Sequence, residues 1–284
     1  MSAVALAVVP GLPRRARRYG GLAVACLHGE LALAPKPGLV TPFDSGSHDD
    51  MDAGTFLRSL FALRHYFRAV AQAGAEAAPF AVLRAHGVAA ETAMRAATGG
   101  INTHRGAIFS LGLLVAAAAA RQRELGRPAP AEAVCLAVQR WAADLTFGPL
   151  DPESPGQRAC REHGVSGVRE LAAAGYPVLR THALPAMRAA LAAGLSRDAA
   201  RCHTLMVLVA ELDDLNLLHR GGAEGLHWAR AQAATFIADG GAHGPGWQIR
   251  LQAVADAFVA RRLSPGGSAD LLACCDFLLR QEAL

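Results

Sequence analysis

The sequence predicts an all-α protein: a single multi-helix globular domain of about ten helices over residues 1–284, with residues 1–13 flexible. Three observations carry this. Alanine, the best helix former, supplies 62 of the 284 residues. Apolar residues recur at helical spacing almost everywhere, and no period-two alternation lasts more than a few residues. β-branched residues are sparse and aromatics make up only 6%, against a sandwich or barrel. A chain that is 52% hydrophobic buries enough surface to offset its ordering entropy, which excludes a disordered protein.

The elements follow in order. A helix over 14–33 opens on Arg14, Arg15, Arg17 and Arg18, a solvated first turn. The next, over 49–73, opens on Ser47-His48-Asp49-Asp50-Met51-Asp52, where Ser47 and Asp50 fit a capping box. Helix 78–97 ends at Gly99-Gly100, and helix 104–124 follows a Thr103 cap. Helices over 130–146, 163–174, 182–193 and 197–212 come next; the last is strongly apolar from Leu205 to Leu212. Those over 222–239, 247–262 and 268–282 complete the set. The breaks at 35–46, 98–103, 147–156, 240–246 and 264–267 are rich in proline and glycine. Residues 147–160, with Pro149, Pro152 and Pro155, read as a surface loop within one domain. No period of 20–50 residues repeats, so a solenoid is excluded.

The charge narrows the partners. Net charge is +4, and 27 of the 28 basic residues are arginine; Lys36 is the single lysine. A nucleic-acid binder would show a basic stripe with interleaved aromatics, so no nucleic acid is expected and a small polyanion fits better. The apolar run Ala3 to Val9 precedes the first charges, the reverse of a signal peptide. The longest apolar run, Ala107 to Ala120, has 14 residues where a membrane span needs about 20, so no membrane is expected. The six cysteines form no C-x-x-C pair, which leaves a zinc ribbon unsupported and points to a reducing, cytoplasmic compartment.

Three groups of residues carry chemistry. Glycine pairs stand at or beside helix starts: Gly99-Gly100 before Asn102-Thr103-His104-Arg105-Gly106, Gly221-Gly222 after Arg220, and Gly266-Gly267 before Ser268. Glycine admits a phosphate close to the backbone, and a helix N-terminus supplies free N–H groups. Each pair alone is an ordinary helix boundary; three, two of them beside arginine, point to a ligand with several phosphates. The second group is acidic. Asp49, Asp50 and Asp52 flank His48, while Glu211, Asp213, Asp214 and Asn216 stand at the end of the apolar helix. Glu211 and Asp214 share a face there, and carboxylates at a helix C-terminus oppose the dipole, a conflict that marks function. Such oxygen ligands suit Mg²⁺ carried by a polyphosphate; a solvated helix end is the plain alternative. The third is Ala34-Pro35-Lys36-Pro37-Gly38-Leu39-Val40, where two prolines stiffen a loop presenting one ammonium as an anion clamp.

Together these segments resemble the triphosphoribosyl-dephospho-coenzyme A synthase family, which serves citrate lyase and malonate decarboxylase. The resemblance runs through Pro35 to Val40, Gly46 to Met51, Gly100 to Gly112, Asp214 to Asn216 with Arg220 to Gly222, and Ser264 to Asp270. Any one is weak; five in family order are strong. Ala34 replaces the usual threonine and Arg105 a frequent lysine, so positive charge alone matters at 105. The family's arginine followed by glycine and glutamate falls at Arg169, where Glu170 and Leu171 follow instead, and no catalytic role is assigned there.

The resemblance implies an all-helical fold and a transferase. ATP donates a triphosphoribosyl group to the ribose 2′-hydroxyl of 3′-dephospho-coenzyme A, adenine leaves, and the product passes to an acyl carrier protein transferase. Malonate decarboxylase is the favoured destination, with citrate lyase the alternative. For this reaction Asp50 or His48 is the expected base, with Lys36 beside them. Lys36, Arg105 and Arg220 would hold phosphate, helped by Gly100, Asn102, Thr103, His104, Gly106, Gly221, Gly222, Gly266, Gly267 and Ser268. Asp214, Asn216 and Asp50 would hold Mg²⁺. A homo-oligomer is compatible with this reading. The rivals are a helical metal-dependent hydrolase of N-glycosidic bonds and a non-catalytic helical scaffold. Adenine release without an acceptor would mark the first, and no thermal shift with ATP the second.

Overall fold

A computed structural model describes residues 12–147, 160 and 164–284. The expectations for residues 1–11 and for the prolines near 152 lie outside the described residues. Among the described residues all regular structure is helical. The helices are α1 (Leu12–Leu31), α2 (Ala53–Ala75), α3 (Phe80–Ala97), α4 (Arg105–Leu125), α5 (Ala131–Ala137), α6 (Ala142–Phe147), α7 (Val168–Ala173), α8 (Leu184–Ala192), α9 (Arg197–Glu211), α10 (Leu215–Ala238), α11 (Trp247–Ala260) and α12 (Gly266–Gln281).

Helix α4 is the axis of the fold. Its residues from Ala107 to Ala120 are buried nearly all round, as expected for a helix without a polar face. It packs against α1, α2, α3, α5 and α12. The alanines let neighbours approach closely: a Cβ on Gly74 of α2 would stand 2.2 Å from the Ala116 carbonyl oxygen. Helix α12 is the second buried element, with Leu271 to Leu278 in the core against α1, α4 and α9. No helix among the described residues is long and apolar enough to cross a membrane. The N-termini of α4, α10 and α12 carry the expected site motifs.

Several boundaries differ from the sequence reading. Helix α2 starts at Ala53, and its capping box is Asp52 with Thr55, not Ser47 with Asp50: Asp52 Oδ1 accepts the Thr55 N–H at 2.8 Å. Ser47 is instead bound to a distant segment, and that tertiary contact overrides the local signal. The expected 130–146 helix breaks into α5, a 3₁₀ turn at Val138–Trp141, and α6. A π turn at Leu179–Ala183 precedes α8, which has Pro185 at its start. Helix α10 begins at Leu215, seven residues before the expected 222, and kinks at Gly222.

Candidate functional site

The segment from Ala32 to Asp52 forms a strap that joins α1 to α2. Lys36 lies at its start and is 3% exposed. Its Nζ donates to Glu30 Oε1 at 2.6 Å and to the Glu30 carbonyl at 2.8 Å. The ammonium is therefore held by a buried partner on α1 rather than presented to solvent. Gly38 has φ +65°, and a Cβ there would fall 1.9 Å from the Leu263 carbonyl oxygen, so only glycine fits. Ser47 Oγ donates to that same Leu263 oxygen at 2.6 Å.

His48 is fixed on both ring nitrogens. Arg220 donates to Nδ1 at 3.0 Å, and Nε2 lies 2.9 Å from Ser264 Oγ. A guanidinium can only donate, so Nδ1 accepts and the proton sits on Nε2, pointed at Ser264. Burial, reinforced by Arg220, lowers the His48 pKa to about 4 against the pull of Asp50 and Asp49. Arg220 also donates to the carbonyls of Ser47 at 2.9 Å and Arg262 at 3.2 Å. Asp50 stays 62% exposed, 3.9 Å from His48 Nδ1. Exposed Asp49 pairs with Arg262.

Asp214 does not end the apolar helix. It is fully buried and caps the next one, α10, its Oδ1 accepting the Asn216 N–H at 2.9 Å and the Leu217 N–H at 3.4 Å. It also receives the start of α12: Ser268 N–H at 2.7 Å, Ser268 Oγ–H at 2.9 Å and Gly267 N–H at 3.4 Å. The dipole conflict read from the sequence is thus reversed, because a carboxylate at two helix N-termini is favourable. The expected shared face with Glu211 is absent, since Glu211 is the last residue of α9. Burial pushes the Asp214 carboxyl above its usual range, opposed by the donors of Ser268, Asn216 and Gly267. The amides of Gly267 and Ser268, expected to cradle phosphate, are spent on Asp214. Asn216 packs its amide against Gly266, where a Cβ would meet Nδ2 at 2.9 Å.

A second carboxylate meets the start of α4. A Cβ on Gly106 would lie 2.1 Å from Asp270 Oδ2. Burial raises Asp270 well above the ordinary range, with Glu30 and Asp214 adding repulsion. His104 is 2% exposed, its Nδ1 lying 2.6 Å from Ser59 Oγ while its Nε2 has no partner. Burial, then the Lys36 charge, lowers its pKa to about 3. The buried Thr103 Oγ1 beside it also lacks a partner. Asn102 Oδ1 accepts the Arg105 N–H at 3.2 Å, while the N-cap position of α4 is His104 and not the expected Thr103.

The structure therefore joins four motif segments: strap to α10 through His48 and Arg220, strap to the residues leading into α12 through Ser47 with Leu263 and His48 with Ser264, α10 to α12 through Asp214, and α12 to α4 through Asp270. Other expected residues stand apart. Gly99 and Gly100 are exposed left-handed residues that close α3. Gly221 touches Leu263, and Gly222 only breaks α10. Arg105 turns toward Glu91, 3.2 Å from its Nε, into a cavity between α2, α3 and α4. Sequence reasoning passed over Glu30, Ser59 and Asp270. Asp270 was legible, because it closes the last motif; Glu30 and Ser59 sit inside helices and are marked only by tertiary contact. Among the described residues no group of three histidine, cysteine, aspartate or glutamate side chains is placed to hold a metal ion.

Comparison with known proteins adds a lineage to this geometry. Residues 16–284 match the family model described as ATP:dephospho-CoA triphosphoribosyl transferase. A probable 2-(5''-triphosphoribosyl)-3'-dephosphocoenzyme-A synthase of Vibrio cholerae serotype O1 is 40% identical over 268 residues, covering 90% of this chain and 86% of the relative. A protein of the same probable name from Azotobacter vinelandii is 37% identical over 284 residues, covering 98% and 96%. The 2-(5''-triphosphoribosyl)-3'-dephosphocoenzyme-A synthase of Pectobacterium atrosepticum is 40% identical over 254 residues, covering 86% and 82%. No solved structure matches.

Proposed function

The chain belongs to the ATP:dephospho-CoA triphosphoribosyl transferase family, and from that premise we propose how its residues carry out the transfer. The bond from ribose C1′ to adenine N9 of ATP breaks, and adenine leaves with the electron pair and a proton. The 2′-oxygen of 3′-dephospho-coenzyme A bonds to C1′ and gives up its hydrogen to a base. The carbon passes through an oxocarbenium-like state, which nearby carboxylates stabilise. The observation that supports this placement is the junction of four family segments through His48, Arg220, Asp214 and Asp270.

Asp50 is the better base of the two expected. Its carboxylate is open, while His48 has one nitrogen covered by Arg220 and the other facing Ser264. His48 then positions the strap. Mg²⁺ arrives with the triphosphate of ATP. Asp50 suits a cation that keeps most of its waters and phosphate ligands; Asp214, with both oxygens engaged by five donors, serves to hold two helix starts instead. The product is proposed to pass to an acyl carrier protein transferase serving malonate decarboxylase, with citrate lyase as the alternative destination. The hydrolase and scaffold readings have no observation in their favour.

The test is incubation with ATP, Mg²⁺ and dephospho-coenzyme A followed by mass analysis. Free adenine and a triphosphoribosyl adduct are expected, and absence of both overturns the proposal. Asp50→Asn should lower kcat about 100-fold or more with the fold intact; full turnover in that variant removes Asp50 as base. Presenting the product and the carrier transferase with each of the two acyl carriers decides the destination.

A further inference from the structure

The charge of the chain is unevenly placed. It holds 28 basic residues, counting arginine and lysine, and 24 acidic ones. Helices α1 and α2 carry seven of the first and one of the second, so the rest of the chain is net negative. The one carboxylate, Glu30, is buried against Lys36. Arg14, Arg15, Arg17 and Arg18 of α1 and Arg64 and Arg68 of α2 are exposed, and none is paired with a carboxylate among the described residues. Arg58 stands apart from them, drawn to the Asp52 cap.

Two stripes order this surface. On α2, Leu57, Phe61, Arg64 and Arg68 follow at spacings of four, three and four, so they line one helix face. On α1, Arg14, Arg18, Gly21 and Ala25 repeat the same spacing. All eight are exposed, Phe61 to 68%. Gly20 packs against α2, where a Cβ would fall 2.9 Å from the Arg68 nitrogen. The arginine ends of the two stripes therefore lie side by side, and each stripe passes from arginine to uncharged residues. The uncharged half has relief: Leu57 and Phe61 project from α2, while a Cβ on Gly21 would meet only open space.

A basic half beside an apolar half selects the occupant. Duplex nucleic acid carries phosphate along its whole length and would leave the apolar half unmatched. A bilayer needs a continuous apolar face, which two large side chains do not make. Arginine with an exposed aromatic and no lysine is the composition of a protein interface, and a ridge beside a shallow groove accepts a helix. We propose that the outer face of α1 and α2 docks an amphipathic helix of another protein. That helix is acidic over the end that meets Arg14, Arg18, Arg64 and Arg68, and apolar over the end that meets Leu57 and Phe61. Its carboxylates pair with the guanidinium forks, and a large side chain fills the space over Gly21. The contact is independent of the transfer reaction, because none of these residues belongs to the strap or to the joined motif segments.

The test is fluorescence anisotropy at about 150 mM salt, where loose charge attraction is screened. Four probes are compared. The first is a synthetic helix faced with glutamate at one end and leucine at the other, and the second has the same composition with the two residue types interspersed. The others are a duplex RNA and phosphatidylglycerol vesicles. The ordered helix should bind about tenfold tighter than the interspersed one, or more. Arg64→Glu combined with Arg68→Glu should abolish that binding. Phe61→Ser should weaken it about tenfold, Phe61→Leu should retain it, and turnover should be unchanged in each variant. Equal binding of the two helices, no binding of either, or indifference to Phe61→Ser overturns the proposal. Tighter binding of RNA or of vesicles than of the ordered helix also overturns it and gives the face to that partner.

Discussion

Lys36 shows how far a single position can be read. The sequence marks it as the only lysine among 28 basic residues, between two prolines. Its partner is invisible there, because Glu30 lies in the preceding helix and the pairing depends on how the chain turns back. A guanidinium is bulkier than the ammonium and needs a planar fork of acceptors. Lys36→Arg should therefore lose turnover and about 2 kcal/mol of stability, whereas Arg105→Lys should be mild; matched urea denaturation and rate measurements check both. Lys36→Met leaves Glu30 buried and uncompensated, at a cost on the order of 3 kcal/mol, and adding Glu30→Gln should recover part of it. His104 is one of the histidines whose burial weakens the fold in acid. Its folded pKa of about 3 lies below the usual 6.5, so the unfolded chain takes up a proton that the native state refuses. Stability is fully present above pH 6.5 and falls toward pH 3, by about 1.4 kcal/mol per pH unit from this group. Denaturation at a series of pH values should show a shallower slope in His104→Gln.

At the scale of elements, periodicity located the helices well, while local signals misled where long-range contacts compete: the Gly221-Gly222 pair marks a kink inside α10 and not its start. Ser47 has the chemistry of a cap but bonds to Leu263, and the cap moves to Asp52. Asp214 looks like the tail of α9 and is the head of both α10 and α12. No local pattern reveals a residue that caps a helix 54 positions away. Asp214→Ala removes two caps and leaves buried N–H groups unpaired, so it should cost about 3 kcal/mol. Hydrogen exchange should then show faster opening at the first turns of both helices, and protection lost at α10 alone would contradict the double cap.

Across the whole molecule, alanine content and the helical period were enough for the class, because an all-helical core needs only apolar faces at the right spacing. The cavity beside Arg105 was not legible, since its wall is assembled from α2, α3 and α4. All six cysteines are free, and all but Cys160 are buried. A thiol reagent should modify at most one cysteine quickly in the native protein and all six after denaturation; several fast native thiols would mean a looser core. The strap has one more consequence. Ser47 and His48 take their partners from Leu263 and Ser264, 216 residues later. During synthesis the strap must wait for partners made 216 residues later, just ahead of α12. A chain stopped at Arg261 would carry Ser47 and His48 without the groups that fix them, so its strap amides should exchange faster than in the longer chain.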